Sequence, residues 1–267
     1  MVATLFWVPI ALYIAGWCGV FIAYWRGEDA WPSWGRWLIT VGWGAHTLLL
    51  FIRVAESGLA FPFAFSAVAW LAILVHFLAQ RRYRKTVIGF ILPPLAVALL
   101  LLGEVAVRSH AISERFDLGH GAVQGIVIVH IVAMLLGHLI FAAGCLFSIA
   151  YLYGEHQLKA KQAGTTQSRF PPLSKLSALN HRAIALGFFF LSLGILLGFL
   201  AGGMTGVAPE PLSWRQIIPM LVWLLYAGFL LQQTYQGRRG HFSAVLSIAG
   251  FIIVTSALVF ELTVLFV

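Results

Sequence analysis

Nine histidines stand in a chain of 267 residues that is 61% hydrophobic and only 10% charged. Five of them, His46, His76, His130, His138 and His181, fall in or beside long apolar stretches. An imidazole in such surroundings is costly to bury, so it either bonds to a neighbouring helix or faces a ligand. A lone one is more often a hydrogen-bonding residue, and five together add weight to the ligand role. Met134 stands at i+4 spacing between His130 and His138, so the three form one ridge of a helix.

The chemistry open to these residues is narrow. Zinc or copper wants a tighter cluster, usually with cysteine or carboxylate. The two cysteines, Cys18 and Cys145, form neither a CxxC pair nor a CxxCH motif and read as small packing residues. A proton relay wants a chain of acids, and Glu261 is the one carboxylate within an apolar run. Neutral imidazoles amid Trp, Phe and Gly suit haem better. Histidine is a common axial ligand, small residues leave room for the macrocycle, and arginine pairs with propionates. Gly42 and Gly44 beside His46, and Gly137 beside His138, supply either that room or close helix packing. Arg53 follows His46 by seven residues, nearly on the same face, as a propionate partner or an interfacial anchor.

The elements that must position these groups are transmembrane helices. Apolar runs fall at about 4–25, 37–54, 63–80, 86–103, 122–152, 181–202, 216–235 and 242–266. Each is long enough to cross hydrocarbon roughly 30 Å thick. Lipid leaves backbone groups to be satisfied within the segment, so the runs must be helical, and a period-2 pattern that would mark a β-barrel is absent. The expected fold is an all-α membrane protein, a bundle of about eight transmembrane helices in a single polytopic domain spanning 1–267. No cleavable leader is expected, because residues 4–25 exceed an ordinary signal h-region and lack a basic flank.

Charge gives the orientation. Thirteen Lys and Arg fall in the connections after the first, third, fifth and seventh runs, and only Arg53, Arg108, Arg115 and Arg215 on the other side. The richer side is read as cytoplasmic, which puts both termini outside. The net charge of +8 is therefore read as membrane topology and headgroup attraction, and no nucleic-acid partner is expected. Orientation converts position into depth. His46 and His130 come out near the midplane, and His76, His138 and His181 nearer the cytoplasmic face. Residues 104–121 are expected outside as a short surface helix. Gln162–Arg169 is expected inside as a flexible linker, stiffened by Pro171-Pro172.

Several stretches resemble the cytochrome c assembly family, in its CcsA-, HemX- or YpjD-like branch. His46 with Arg53, then Glu56-Ser57-Gly58, Pro62 and Trp70, is similar to that family's second and third helices. Val129-His130-Ile131 running to Tyr151-Leu152 resembles its "LHV…YL" helix. Leu176–Arg182 through Gly187-Phe188 and Gly194-Ile195 resembles its "LD…YR…GF…LTLGI" segment. Trp223 and Tyr226, then Gly237–Gly240 and Ala249-Gly250-Phe251, resemble its end. The likeness covers about residues 40–255. The tryptophan-rich signature "WGxYWxWDPKE" of haem-handling members is reduced to Trp214 in the stretch Met204–Arg215, and a histidine expected in helix 7 is replaced by the run Leu230–Tyr235. That places the likeness with the shorter branch.

The resemblance implies a haem-binding or haem-handling protein of the bacterial inner membrane that is not itself an enzyme. His46 and His130 would be haem-iron ligands and Arg53 a propionate partner. His138 and His181 would line a second, inner site. The implied partners are the lipid bilayer and other cytochrome c assembly subunits. The alternative is a haem-free accessory or regulatory subunit, acting on haem synthesis or beside a divalent-cation transporter.

Overall fold

The computed structural model describes residues 2–26, 32–57, 61–82, 87–108, 121–159, 172–204, 214–236 and 240–266. Among the described residues, eight α-helices follow in chain order: α1 (Val2–Trp25), α2 (Ser33–Ser57), α3 (Phe61–Arg82), α4 (Val87–Arg108), α5 (Ala122–Lys159), α6 (Leu173–Met204), α7 (Trp214–Gln236) and α8 (His241–Phe266). The linker Gln162–Arg169, Pro171, Gly58, most of the stretch that replaces the tryptophan-rich signature, and the 109–120 part of the expected surface helix lie outside the described residues. The chain is an all-α membrane protein, as its apolar runs require.

Four helices are long and apolar enough to cross a bilayer on their own measure: Leu5–Ala23, Ser33–Glu56, Ala122–Lys159 and Leu173–Met204. The other four carry shorter apolar stretches, Phe63–Leu78, Ile91–Val105, Gln216–Gln232 and His241–Ala257, inside longer helices. Four helices carry proline: Pro62 sits in the first turn of α3, where its missing donor costs no bond, and Pro9, Pro93, Pro94 and Pro219 lie past the first turn, where each removes one i→i−4 bond, a loss membrane helices tolerate.

Two helices outrun their apolar runs. At 38 residues α5 measures roughly 57 Å, and at 32 residues α6 measures roughly 48 Å, so both project well beyond the hydrocarbon. Helix α4 continues through Glu104 to Arg108, so the opening residues of the expected surface helix belong to α4 itself. The projecting end of α5 is stitched by charge. Glu155 pairs with Lys159 at 3.0 Å one turn on, and with His241 Nδ1 at 2.7 Å. Gly240 precedes α8 with φ +118°, and a side chain there would stand 3.0 Å from the Tyr151 hydroxyl.

The chain divides into two compact units, residues 1–128 and 129–267. In the first, α1 and α2 pack closely through small residues. A Cβ on Gly16 would stand 2.6 Å from Ile39 Cγ1 and 2.8 Å from the Gly35 carbonyl. Phe6, Tyr13, Ile39, Leu49, Ile73 and Leu100 fill the interior.

In the second unit α5 and α6 interlock along a run of glycines. Gly187 lies under the Phe141 ring, Gly194 under Met134 and Gly198 against His130. From the α5 side, Gly137 approaches the Gly187 carbonyl and Gly144 approaches Asn180. Small residues let backbones come close where helix association rests on packing and not on the hydrophobic effect. Phe141 then stacks on Tyr226 of α7 at 4.0 Å between ring centroids, 6° from parallel, in a core with Ile184, Leu191, Val222, Phe229 and Val254.

Candidate functional site

His130 sits nine residues into α5, within the second unit. Its Nδ1 lies 2.6 Å from the carbonyl oxygen of Gly194 on α6. A neutral imidazole that donates from Nδ1 keeps its lone pair on Nε2. Among the described residues no hydrogen bond engages that Nε2. Gly198, one turn beyond Gly194, makes the seat for the ring, since a Cβ there would come within 3.0 Å of Cε1 and 3.1 Å of Nδ1. The ring is half-buried. An imidazole oriented by a backbone carbonyl through one nitrogen, with the other nitrogen left as a donor of electrons, is the usual arrangement of a metal-bound histidine. His130 fits haem ligation.

The other histidines of this unit are placed differently. His138 Nδ1 lies 2.7 Å from the Met134 carbonyl one turn back, and the ring also meets the backbone carbonyl of Val254 on α8. The ridge on α5 is thus split. His130 and Met134 face α6, and His138 is held by its own helix and α8. His181 is half-buried near the start of α6, thirteen residues or roughly 20 Å along the helix from Gly194. Beside it, Asn180 is the residue that points inward, accepting a hydrogen bond from Ser247 of α8 at 3.0 Å.

In the first unit His46 is fully buried, with both ring nitrogens engaged. Nδ1 is 3.2 Å from the Tyr13 hydroxyl of α1, and Nε2 is 2.9 Å from Ser66 Oγ of α3. Iron would have to displace one of these partners. Of the glycines expected to make room, Gly42 instead lies against α1, where a Cβ would stand 3.0 Å from Leu12 and Tyr13, and only Gly44 faces open space. Beside His46 a second polar tie joins α2 and α3. Trp70 Nε1 donates to Thr47 Oγ1 at 2.8 Å, Trp43 Nε1 donates to the Trp70 carbonyl at 3.3 Å, and the two indoles stack at 4.7 Å. His76 is also buried, and accepts from Gln80 at 2.7 Å through Nε2.

Arg53 is likewise committed. Its guanidinium is 2.6 Å from Glu104 of α4 and lies over the Phe6 ring of α1 at 5.1 Å. Placed in α4 and not in a separate surface helix, Glu104 supplies the countercharge that a propionate would otherwise bring. Of the groups that complete these ties, Tyr13, Ser66 and Gly198 carry no distinctive pattern in the sequence, and Gly194 belongs to the stretch that resembles the family's sixth-helix segment. Among the described residues, no group of three or more His, Cys, Asp or Glu converges as a metal site.

Residues 59–263 match the family model described as Cytochrome C assembly protein. The chain is 23% identical over 264 residues to the cytochrome c biogenesis protein CcsA of Synechococcus sp. (strain CC9902), covering 87% of this chain and 85% of that one. It is 24% identical over 276 residues to the CcsA of Thermosynechococcus vestitus, covering 86% of each. It is also 23% identical over 227 residues to Protein HemX of Bacillus subtilis (strain 168), covering 81% of this chain and 79% of that one. No solved structure matches.

Proposed function

The chain belongs to the cytochrome c assembly protein family, and from that premise we propose that it is a haem-handling protein of the bacterial inner membrane in which His130 is the iron ligand. The observation that carries this reading is the bond from His130 Nδ1 to the Gly194 carbonyl, which fixes the tautomer and leaves Nε2 for a metal. Haem, when bound, supplies the redox-active iron, and the protein binds and orients it. Gly194 and Gly198 set the imidazole plane, and the α5–α6 interlock holds that seat rigid. The activity is handling a cofactor for assembly, without covalent chemistry on the chain's own groups. Other assembly subunits would pass haem in or receive it.

A second reading is a haem-free accessory or regulatory subunit, of haem synthesis or of a cation transporter. It is favoured by His46 and Arg53, both satisfied by protein partners and not poised for a cofactor. The two readings separate on one preparation. Protein purified in mild detergent from haem-replete cells is assayed for haem per chain as the pyridine haemochrome. The first reading expects bound haem that falls at least tenfold in His130→Ala. Haem-free protein that co-purifies with a transporter or a haem-synthesis enzyme supports the second.

A further inference from the structure

We infer that Tyr13, His46 and Ser66 form a three-helix lock, in which His46 is a structural connector of α1, α2 and α3 and not an iron ligand. This inference does not depend on haem binding anywhere in the chain.

The case begins with donors and acceptors. A neutral imidazole has one N–H donor and one lone-pair acceptor, and a hydroxyl can play either part. Between Tyr13 at 3.2 Å and Ser66 at 2.9 Å, one hydroxyl donates to the ring and the other accepts from it, so both nitrogens are satisfied in either tautomer. All three side chains are buried, Tyr13 and His46 at 0% exposure and Ser66 at 3%. They lie in helices read as spanning lipid, where no water replaces a lost partner. Iron at Nδ1 would orphan the tyrosine hydroxyl, and iron at Nε2 the serine.

Space agrees with bonding. Tyr13 stands edge-on to the imidazole at 6.1 Å between centroids. Gly42, one turn before His46, lets α1 close on α2, since a Cβ there would touch the Tyr13 ring at 3.0 Å. On the far side Ser66 is set among fully buried small residues of α3, Ala64 and Ala69. A macrocycle at His46 requires α1 or α3 to part from α2. The lock explains a buried histidine at mid-membrane without any cofactor, since three helices with no hydrophobic drive to associate gain a specific polar tie.

The test uses the full chain in detergent and reads thermal unfolding and haem content together. Tyr13→Phe and Ser66→Ala are each expected to lower the melting midpoint by about 2–4 °C. In a His46→Ala background neither is expected to lower it further, because the shared partner is gone. His46→Gln, which keeps a donor and an acceptor, is expected to restore most of the midpoint lost in His46→Ala and to leave haem per chain at the wild-type level. Equal losses from the partner variants in both backgrounds overturn the lock, as does a tenfold fall in haem in His46→Gln with the fold retained. Where the wild type carries no haem, the proposal for His130 fails and the melting cycle alone decides the lock.

Discussion

At the scale of single residues, His130 stands apart from the other histidines expected to meet haem and from Arg53. His46 is bonded on both nitrogens, His138 is held by backbone carbonyls, and Arg53 is neutralised by Glu104, while His130 keeps a nitrogen unengaged by any described residue. The Arg53–Glu104 pair is the most readily measured of these ties. Its members are 21% and 12% exposed, so solvent screens it weakly. Arg53→Gln is expected to cost about 1.5–3 kcal/mol, the worth of a hydrogen bond to a charged group. The Arg53→Gln/Glu104→Gln double variant is expected to cost less than the two single losses added, because each single change leaves a charge in a half-buried site. Denaturant or thermal unfolding of the four proteins checks this. A strictly additive pair would show that Arg53 holds the helices through something other than Glu104.

At the scale of the helix, the α5–α6 pair is the element the site depends on. Gly187, Gly194 and Gly198 present a groove to Phe141, Met134 and His130 in turn. Gly187→Ala places a Cβ 2.7 Å from the Phe141 ring, which is itself stacked on Tyr226. Overpacking of this kind is expected to cost about 1–3 kcal/mol, read as a lower melting midpoint. The corresponding change at Gly44, where a Cβ meets nothing within 4 Å, is expected to leave the midpoint unchanged. The helices themselves were legible in the sequence, because apolar runs of membrane length admit only one backbone solution. Their ends were not. Hydropathy reports where lipid stops, and α5 continues to Lys159 on polar residues such as Glu155 and Lys159 that pair one turn apart. The histidines were legible as unusual, but their partners were not. Tyr13 and Ser66 look like any residues of an apolar helix, and Gly194 acts through a carbonyl that every residue has. Glu104 fell outside the fourth apolar run, into an expected surface helix, because acidic residues lower hydropathy, and the arginine that pairs with it lies 51 residues away.

At the scale of the whole molecule, family membership and an all-α membrane fold agree with each other. From thirteen Lys and Arg in the connections after the odd-numbered apolar runs and four elsewhere, we propose that both termini lie on the non-cytoplasmic face. Reporter fusions check this. A fusion at either terminus is expected to be active only as an exported reporter, and one within 160–171 only as a cytoplasmic reporter. The reverse pattern would exchange the faces on which the histidine layers lie.

The central claim is that His130 carries a cofactor and that His46 does not. A reduced-minus-oxidised absorbance spectrum of the purified chain, expressed in haem-replete cells, tests it most directly. A Soret difference band is expected in the wild type and in His46→Gln, and its loss in His130→Ala. No band in the wild type, or a band that survives His130→Ala unchanged, would contradict it.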